Sequence, residues 1–276
     1  MDKRYSKRKM RRKILVIRGI LRLSIILLVL FGSIFCAYRF IIKNNSAKEG
    51  KLSNLVVNSS AGKNNSQLNY ILKNENNFTT ELIQLAKRNS EAIQFVYDYP
   101  QNKDKVFTIS LDDEVSTDKV PLFIQWDERW GYSHYGESII GINGCGPTCL
   151  SMVAVHLLGN VELNPKWMAN YSEEEGYCSE SGTLWALMSD GAKKLGLESV
   201  EIPLDESRIY SNLNVGNPII CSMGPGAFTT EGHFIVLCGM KEGKIIINDP
   251  NSRKNSEKLW TYDEIQDQIK NLWVFR

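Results

Sequence analysis

The sequence predicts an α+β domain, helical in its N-terminal half and an antiparallel sheet in its C-terminal half, behind a single N-terminal transmembrane helix. Three observations predict it. Apolar residues recur at helical spacing in several segments between Gln125 and Leu195. After Gly196 the pattern changes to short β-rich runs. An uncharged, mostly apolar run from Leu23 to Tyr38 follows a strongly basic segment.

The basic segment comes first. Residues 1–22 hold ten Lys and Arg against Asp2 alone, and the formal charge of +2 for the whole chain hides this asymmetry. A basic arm on an otherwise acidic chain would suit nucleic acid, but the apolar run directly behind it argues for a bilayer instead. Phe40-Ile41-Ile42 extends that run past Arg39. It then reaches the roughly 20 residues needed to span a hydrocarbon core, with Arg39 snorkelling to the interface. The positive-inside rule places residues 1–22 in the cytoplasm, residues 23–42 in the membrane and the rest outside it. A cleaved signal peptide is the rival reading, but no small-x-small site follows the run. Phe35 is also too bulky to precede a lipid-modified Cys36.

Residues 43–66, rich in Asn, Ser, Lys and Gly, read as a flexible linker. Residues 67–114 read as a helical lead-in. Leu82, Ile83, Leu85 and Ala86 form one stripe capped by Thr79 or Thr80. Ser90 caps a second helix carrying Ile93, Phe95 and Val96, which Tyr99-Pro100 ends. This segment is too short to bury a core of its own.

The folded domain, residues 115–276, is predicted to open with a helical stretch over 125–131. A helix follows from Cys145 to the stop at Gly159-Asn160, then one around 166–171, then one from Thr183 to Leu195 ended by Gly196. Strands are predicted over 199–202, 218–223, 233–240 and 244–248, with Lys241-Glu242-Gly243 turning the last two into a hairpin. A late helix over 262–271 and a final strand over 272–275 complete the pattern.

The chemistry centres on Gly144-Cys145-Gly146-Pro147-Thr148-Cys149. Pro147 suits the first turn of a helix. Cys145 then lies where unpaired N–H groups and the dipole favour a thiolate, and the flanking glycines let the backbone approach a bound chain. A structural cysteine at a turn is the alternative. A nucleophilic thiol needs an imidazole to take its proton, a group to orient that imidazole and donors for the oxyanion. Of the three histidines, His134 lies in a Tyr-rich loop. His156 lies three turns along the cysteine helix, about 16 Å away by helix rise. His233 stands at the start of a strand, and Asp249 of Asn248-Asp249-Pro250 ends the next one. Pairing those strands through 241–243 brings His233 and Asp249 to the same end of a hairpin. An Asp-Pro turn is the plainer reading of Asp249. Gln125 is the candidate side-chain oxyanion donor, with a polar residue at a helix start as its alternative.

These residues also carry a resemblance. Gln125-Trp126-Asp127 with Arg129-Trp130-Gly131, then Gly144-Cys145-Gly146-Pro147-Thr148, then Gly232-His233-Phe234-Ile235-Val236-Leu237, then Asn248-Asp249-Pro250 resemble the C39-like cysteine peptidases. Those are papain-like α+β proteins related to the peptidase domains of bacteriocin-exporting transporters. The resemblance covers about residues 118–276. It implies a papain-like fold with Cys145 as nucleophile, His233 as base, Asp249 as orienting acid and Gln125 as oxyanion donor, acting on a peptide or protein. Leader-peptide processing does not carry over, because the chain has no phosphate-binding Gly-x-x-x-x-Gly-Lys-Ser/Thr loop to imply ATP and no further span.

No Cys-x-x-Cys pair or His cluster suggests a metal, and no cofactor is expected. Five cysteines follow the apolar run, so at least one has no partner within the chain. Cys178 with Cys221 or Cys149 is the candidate disulfide. Glu173–Glu175 read as a solvated loop, with selection of basic substrates as the functional alternative. Trp126, Trp130, Trp167 and Trp185 read mostly as core, with one lining a cleft as the alternative. The functional expectation is an extracytoplasmic, membrane-anchored cysteine peptidase. Two alternatives stay open: a non-catalytic peptide-binding module of the same fold, and a cell-wall amidase or transglutaminase-like acyl-transfer enzyme.

Overall fold

The computed structural model describes residues 62–116, 118–180 and 182–276. The expected basic segment, the 23–42 anchor and most of the 43–66 linker lie outside the described residues. Among the described residues no helix is long and apolar enough to cross a membrane. Asn64–Arg276 form one compact unit.

The described chain opens with helical residues 62–73 (α1), followed by α2 (Thr80–Arg88) and α3 (Ile93–Asn102). Thr79 caps α2 by accepting from the Leu82 N–H at 3.4 Å. The cap before α3 is Asn89, which accepts from the Glu91 N–H at the start of a 3-10 turn, Ser90–Ala92. Ser90, the expected cap, lies inside that turn. The helix also passes Pro100 and ends at Asn102. A missing N–H so near the C-terminus removes one ladder bond and does not stop the last turn. Leu82, Ile83, Phe95 and Val96 share one apolar cluster with Ile124, Trp126 and Tyr132. Phe95 stacks on Tyr132 with ring centroids 4.3 Å apart.

The predicted helix over 125–131 is instead a run of turns, with Asp127 N–H bonded to Ile124 O and Trp130 N–H to Asp127 O. The Asp127 carboxylate accepts from the Arg129 N–H and from its guanidinium. Such local side-chain bonds compete with a helical ladder. A short hairpin, β1 (His134–Tyr135) and β2 (Ser138–Ile139), leads through α4 (Ile140–Asn143) into α5 (Cys145–Leu158). Every residue of α5 from Gly146 to Val155 is buried, as expected of a central helix. Gly159 ends it in the left-handed region at φ 65°.

Next come α6 (Pro165–Glu174), capped by Asn164, and the pair β3 (Cys178–Ser179) and β4 (Gly182–Thr183). Thr183, the predicted helix start, is paired with Cys178 in this ladder. The helical stretch therefore starts later, as a π-helical turn Leu187–Gly191 running into α7 (Ala192–Lys194). Glu173 and Glu174 belong to the last turn of α6 rather than to a loop.

The remaining elements are β5 (Ser199–Glu201), α8 (Glu206–Asn214), β6 (Ile219–Met223), β7 (His233–Lys241), β8 (Lys244–Asn248), α9 (Arg253–Glu257), β9 (Leu259–Trp260), α10 (Tyr262–Ile265) and β10 (Ile269–Phe275). The strands form one six-stranded sheet in the order β5-β10-β6-β7-β8-β9, with every pairing antiparallel. Glu242 and Gly243 turn β7 into β8 with φ of 54° and 72°, the backbone of a two-residue type I′ turn. The late helix is shorter than predicted because Ile269 already pairs with Met223 in β10.

Alternation along the strands splits the apolar residues between two cores. Phe234, Val236 and Trp273 pack with α5 and α6. Ile235, Leu237, Leu272 and Val274 pack with Ile209 and Leu213 of α8. Cys149 lies in the first core and Cys221 in the second, while Cys178 packs at the edge of the first. All five described cysteines are free thiols, so neither candidate pairing of Cys178, with Cys221 or with Cys149, is present.

Candidate active site

Cys145 is the first residue of α5 and is partly exposed. Its flanking glycines have a packing reason of their own. A Cβ on Gly146 would lie 2.5 Å from Thr183 Oγ1, and one on Gly144 would lie 2.6 Å from the Ile140 carbonyl oxygen. The glycines let the start of α5 seat against β4 and α4.

His233 opens β7 opposite Met223 of β6. Val236 faces Asn248 across the β7–β8 ladder, which sets His233 and Asp249 at the same end of the hairpin. The imidazole Nε2 and Asp249 Oδ1 are 2.7 Å apart, and both side chains are buried. Nε2 is thus taken by Asp249, and Cys145, on the same groove, also raises the affinity of the imidazole for its proton. Burial by itself would favour neutral His233. The charge and hydrogen bond of Asp249, reinforced by Cys145, outweigh it and hold the imidazole well above the usual histidine range.

Asp249 is held from several directions. Its Oδ1 also accepts the Asn251 N–H at 2.9 Å, and its Oδ2 accepts from Asn255 Nδ2 at 2.7 Å. Its own N–H donates to Ser256 Oγ at 2.9 Å. The Ser252 N–H meanwhile closes a turn on the Asp249 carbonyl at 3.2 Å. The Asp-Pro turn and the pairing with His233 are therefore both present.

Gln125 is buried and lines the same groove as Cys145. Its Nε2 donates to the carbonyls of Gly141 and Ile142, each at 3.1 Å, and its Oε1 has no partner. Both amide hydrogens are thus engaged, and an incoming oxyanion would have to displace one of these carbonyls.

The other candidates fall away from this cluster. His134 is exposed and lies 3.2 Å from Glu173. His156 sits far along α5, where burial lowers its pKa. Burial pushes the thiols of Cys149 and Cys221 far up and that of Cys238 to about 12, conditions that favour the unreactive protonated form.

One groove of about 900 Å³ takes in Gln125, Cys145, His233 and Asp249. It is also lined by residues of α2 and of the 226–232 loop, which Arg88 Nη1 and Thr230 Oγ1 link at 3.3 Å. Of the four tryptophans read as mostly core, Trp126 and Trp130 are buried, whereas Trp167 and Trp185 are exposed and Trp185 lines the groove. Glu173, Glu174 and Glu175 do not line it. Sequence reasoning missed Asn251, Asn255 and Ser256. Their only local sign is their closeness to Asp249 in a polar stretch without periodicity.

A model described as the Peptidase_C39 like family matches residues 117–275. No curated protein matches the chain. Among solved structures, the chain is similar to the peptidase domain of Streptococcus ComA, a bi-functional ABC transporter involved in a quorum-sensing pathway. That match has 28% identity and a TM-score of 0.38, and covers 48% of this chain and 90% of that one. It is also similar to a C39-like protein from Bacillus anthracis, with 14% identity and a TM-score of 0.35, over 57% of this chain and 94% of that one. The family match takes in more than half of the chain and carries Gln125, Cys145, His233 and Asp249 within it: the chain belongs to the Peptidase_C39 like family.

Proposed function

We propose that this protein is a cysteine peptidase that hydrolyses peptide bonds by acyl transfer through Cys145, with His233 as base and acid and Asp249 as orienting group. The observation that carries the reading is the buried His233–Asp249 pair at 2.7 Å, with Cys145 acting on the same imidazole and all three lining one groove. His233 takes the thiol proton at Nδ1. The thiolate sulfur attacks the substrate carbonyl carbon, and the carbonyl electron pair moves onto oxygen. Collapse re-forms the carbonyl and breaks the C–N bond, and the imidazolium protonates the departing amine. Water then gives a proton to His233 as its oxygen attacks the thioester. Collapse breaks the C–S bond and releases the acid.

The oxyanion donors in this reading are the Cys145 N–H and, once it releases a carbonyl, the Gln125 amide. A residue range of 23–42 long and apolar enough to span a bilayer, with basic residues 1–22 before it, supports an anchored enzyme with its catalytic domain outside the cytoplasm. Its partners are then the lipid bilayer and a peptide or protein substrate.

The engagement of both Gln125 amide hydrogens favours a second reading, a peptide-binding module without turnover. A peptide library presented to the full-length protein separates them. Hydrolysis that disappears in Cys145→Ala, with a thioester adduct trapped on Cys145 by mass spectrometry, supports the peptidase. Peptide retention that is equal in the parent and in Cys145→Ala, with no cleavage, supports the binding module. Release of wall peptides without protein cleavage would point to the amidase class.

A further inference from the structure

The family-matched stretch begins at residue 117, yet the groove and the hydrogen bonds behind it draw on residues before it. The turn between α2 and α3 is bonded to the segment that carries Asp249. The Glu91 carboxylate accepts from Ser252 Oγ at 2.7 Å and from the N–H groups of Arg253 at 3.0 Å and Lys254 at 3.4 Å. Ser252 Oγ in turn accepts from the Asn255 N–H at 3.1 Å. The Asn255 side chain then donates to Asp249 Oδ2. A parallel bridge runs through Asn89, whose Nδ2 donates to the Asn251 carbonyl at 2.6 Å, joined there by Trp126 Nε1 at 3.2 Å. The Asn251 N–H donates to Asp249 Oδ1. Each oxygen of the carboxylate that meets His233 is thereby tied, through one intermediary segment, to the lead-in.

We propose that Glu91 is a positioning residue for the candidate active site: through Ser252 and Asn255 it holds the Asp249 carboxylate in register with His233, so that the helical lead-in is a working part of the catalytic apparatus. The inference rests on the peptidase reading for its consequence, but its physical content is a coupling between residues 91 and 233. A glutamate suits the task because the first turn of α9 presents two backbone N–H groups and a hydroxyl to a carboxylate, and each oxygen finds a donor. Loss of that grip frees Ser252 and loosens Asn255, and Asp249 then stabilises the imidazolium less well. Asp249 and Cys145 are the groups that raise the imidazole, and Asp249 is the carboxylate bonded to it.

The test is the titration of His233 by NMR in the full-length protein with labelled histidine; with three histidines in the chain the signals are few. Glu91→Ala should lower the His233 midpoint by about half a pH unit or more, roughly threefold in proton affinity. Ser252→Ala, a smaller deletion within the same chain of bonds, should move it the same way, and Glu91→Asp should restore part of the shift. In an Asp249→Asn background Glu91→Ala should add nothing, because the route through Asp249 is already cut. An unchanged midpoint in Ser252→Ala and in a folded Glu91→Ala overturns the proposal, as does a full shift persisting in the Asp249→Asn background. Alkylation of Cys145 in the same samples is read separately. An ordinary, His233-independent thiol in the parent would sink the peptidase reading, while the titration still decides the coupling.

Discussion

Asp249 shows how much a single carboxylate does here. Its oxygens accept from His233, Asn251 and Asn255, so it is held facing the imidazole from several directions. Because it holds the His233 proton well above the usual range, the imidazolium should persist to alkaline pH. The alkaline limb of any kcat/KM profile should lie above the ordinary imidazole value of about 6.5. Asp249→Asn should bring that limb down and cut kcat by about 100-fold or more, as measured by peptide hydrolysis across pH. A limb that stays in place would mean another group sets the His233 proton. Cys145, His233 and Asp249 were legible in the sequence because each stands at the end of an element marked by glycine, proline or a change of period. Asn255 and Glu91 were not: polar side chains such as Glu91 and Ser252, which meet across 161 positions, leave no periodic trace. Gln125 was legible as a site residue, but its bonds to Gly141 and Ile142 depend on a loop whose path only the packed fold defines.

Those two carbonyls belong to a segment packed around Phe95 of α3. A Cβ on Gly141 would lie 2.6 Å from the Phe95 ring, and one on Gly131 would lie 2.7 Å from it. Phe95→Ala should cost about 3–5 kcal/mol in denaturant unfolding, the usual range for emptying such a site. Gly141→Ala should cost about 1–3 kcal/mol through overpacking. It should also lower activity by more than its stability loss explains, because the carbonyl that holds Gln125 moves with it. Stability loss with normal residual turnover in the folded fraction would separate the loop from the site. At this scale, α5 and the β7–β8 hairpin could be read from sequence because their periodicity and their stops agree. The stretch 125–131 misled because its aromatic spacing resembles a helix while Asp127 and Arg129 bond locally. α8 was overlooked because only Ile209 and Leu213 are buried along it, too few to register as a stripe.

Across the whole unit, the sheet order shows what sequence could not supply. β10, last in the chain, lies between β5 and β6. Only burial of Trp273 and Phe275 on one face with Leu272 and Val274 on the other selects that place. The same unit couples folding to the His233 proton. The folded imidazole binds its proton more tightly than the unfolded one, so the stability this adds is fully present below the unfolded value of about 6.5. It is lost as pH rises through the raised folded value. Unfolding free energy measured in denaturant should therefore fall more from neutral to alkaline pH in the parent than in Asp249→Asn. Equal slopes would show that the pair contributes no such linkage.

The central claim is that the fold activates one thiol through one imidazole. The most direct measurement is the rate of Cys145 alkylation by an iodoacetamide-type reagent across pH 4–9, mapped by mass spectrometry in the full-length protein and in His233→Ala. Selective labelling of Cys145 well below pH 8, slowed at least about tenfold by His233→Ala, is the predicted result. Labelling of Cys145 no faster than that of Cys178, and indifferent to His233, would contradict the account.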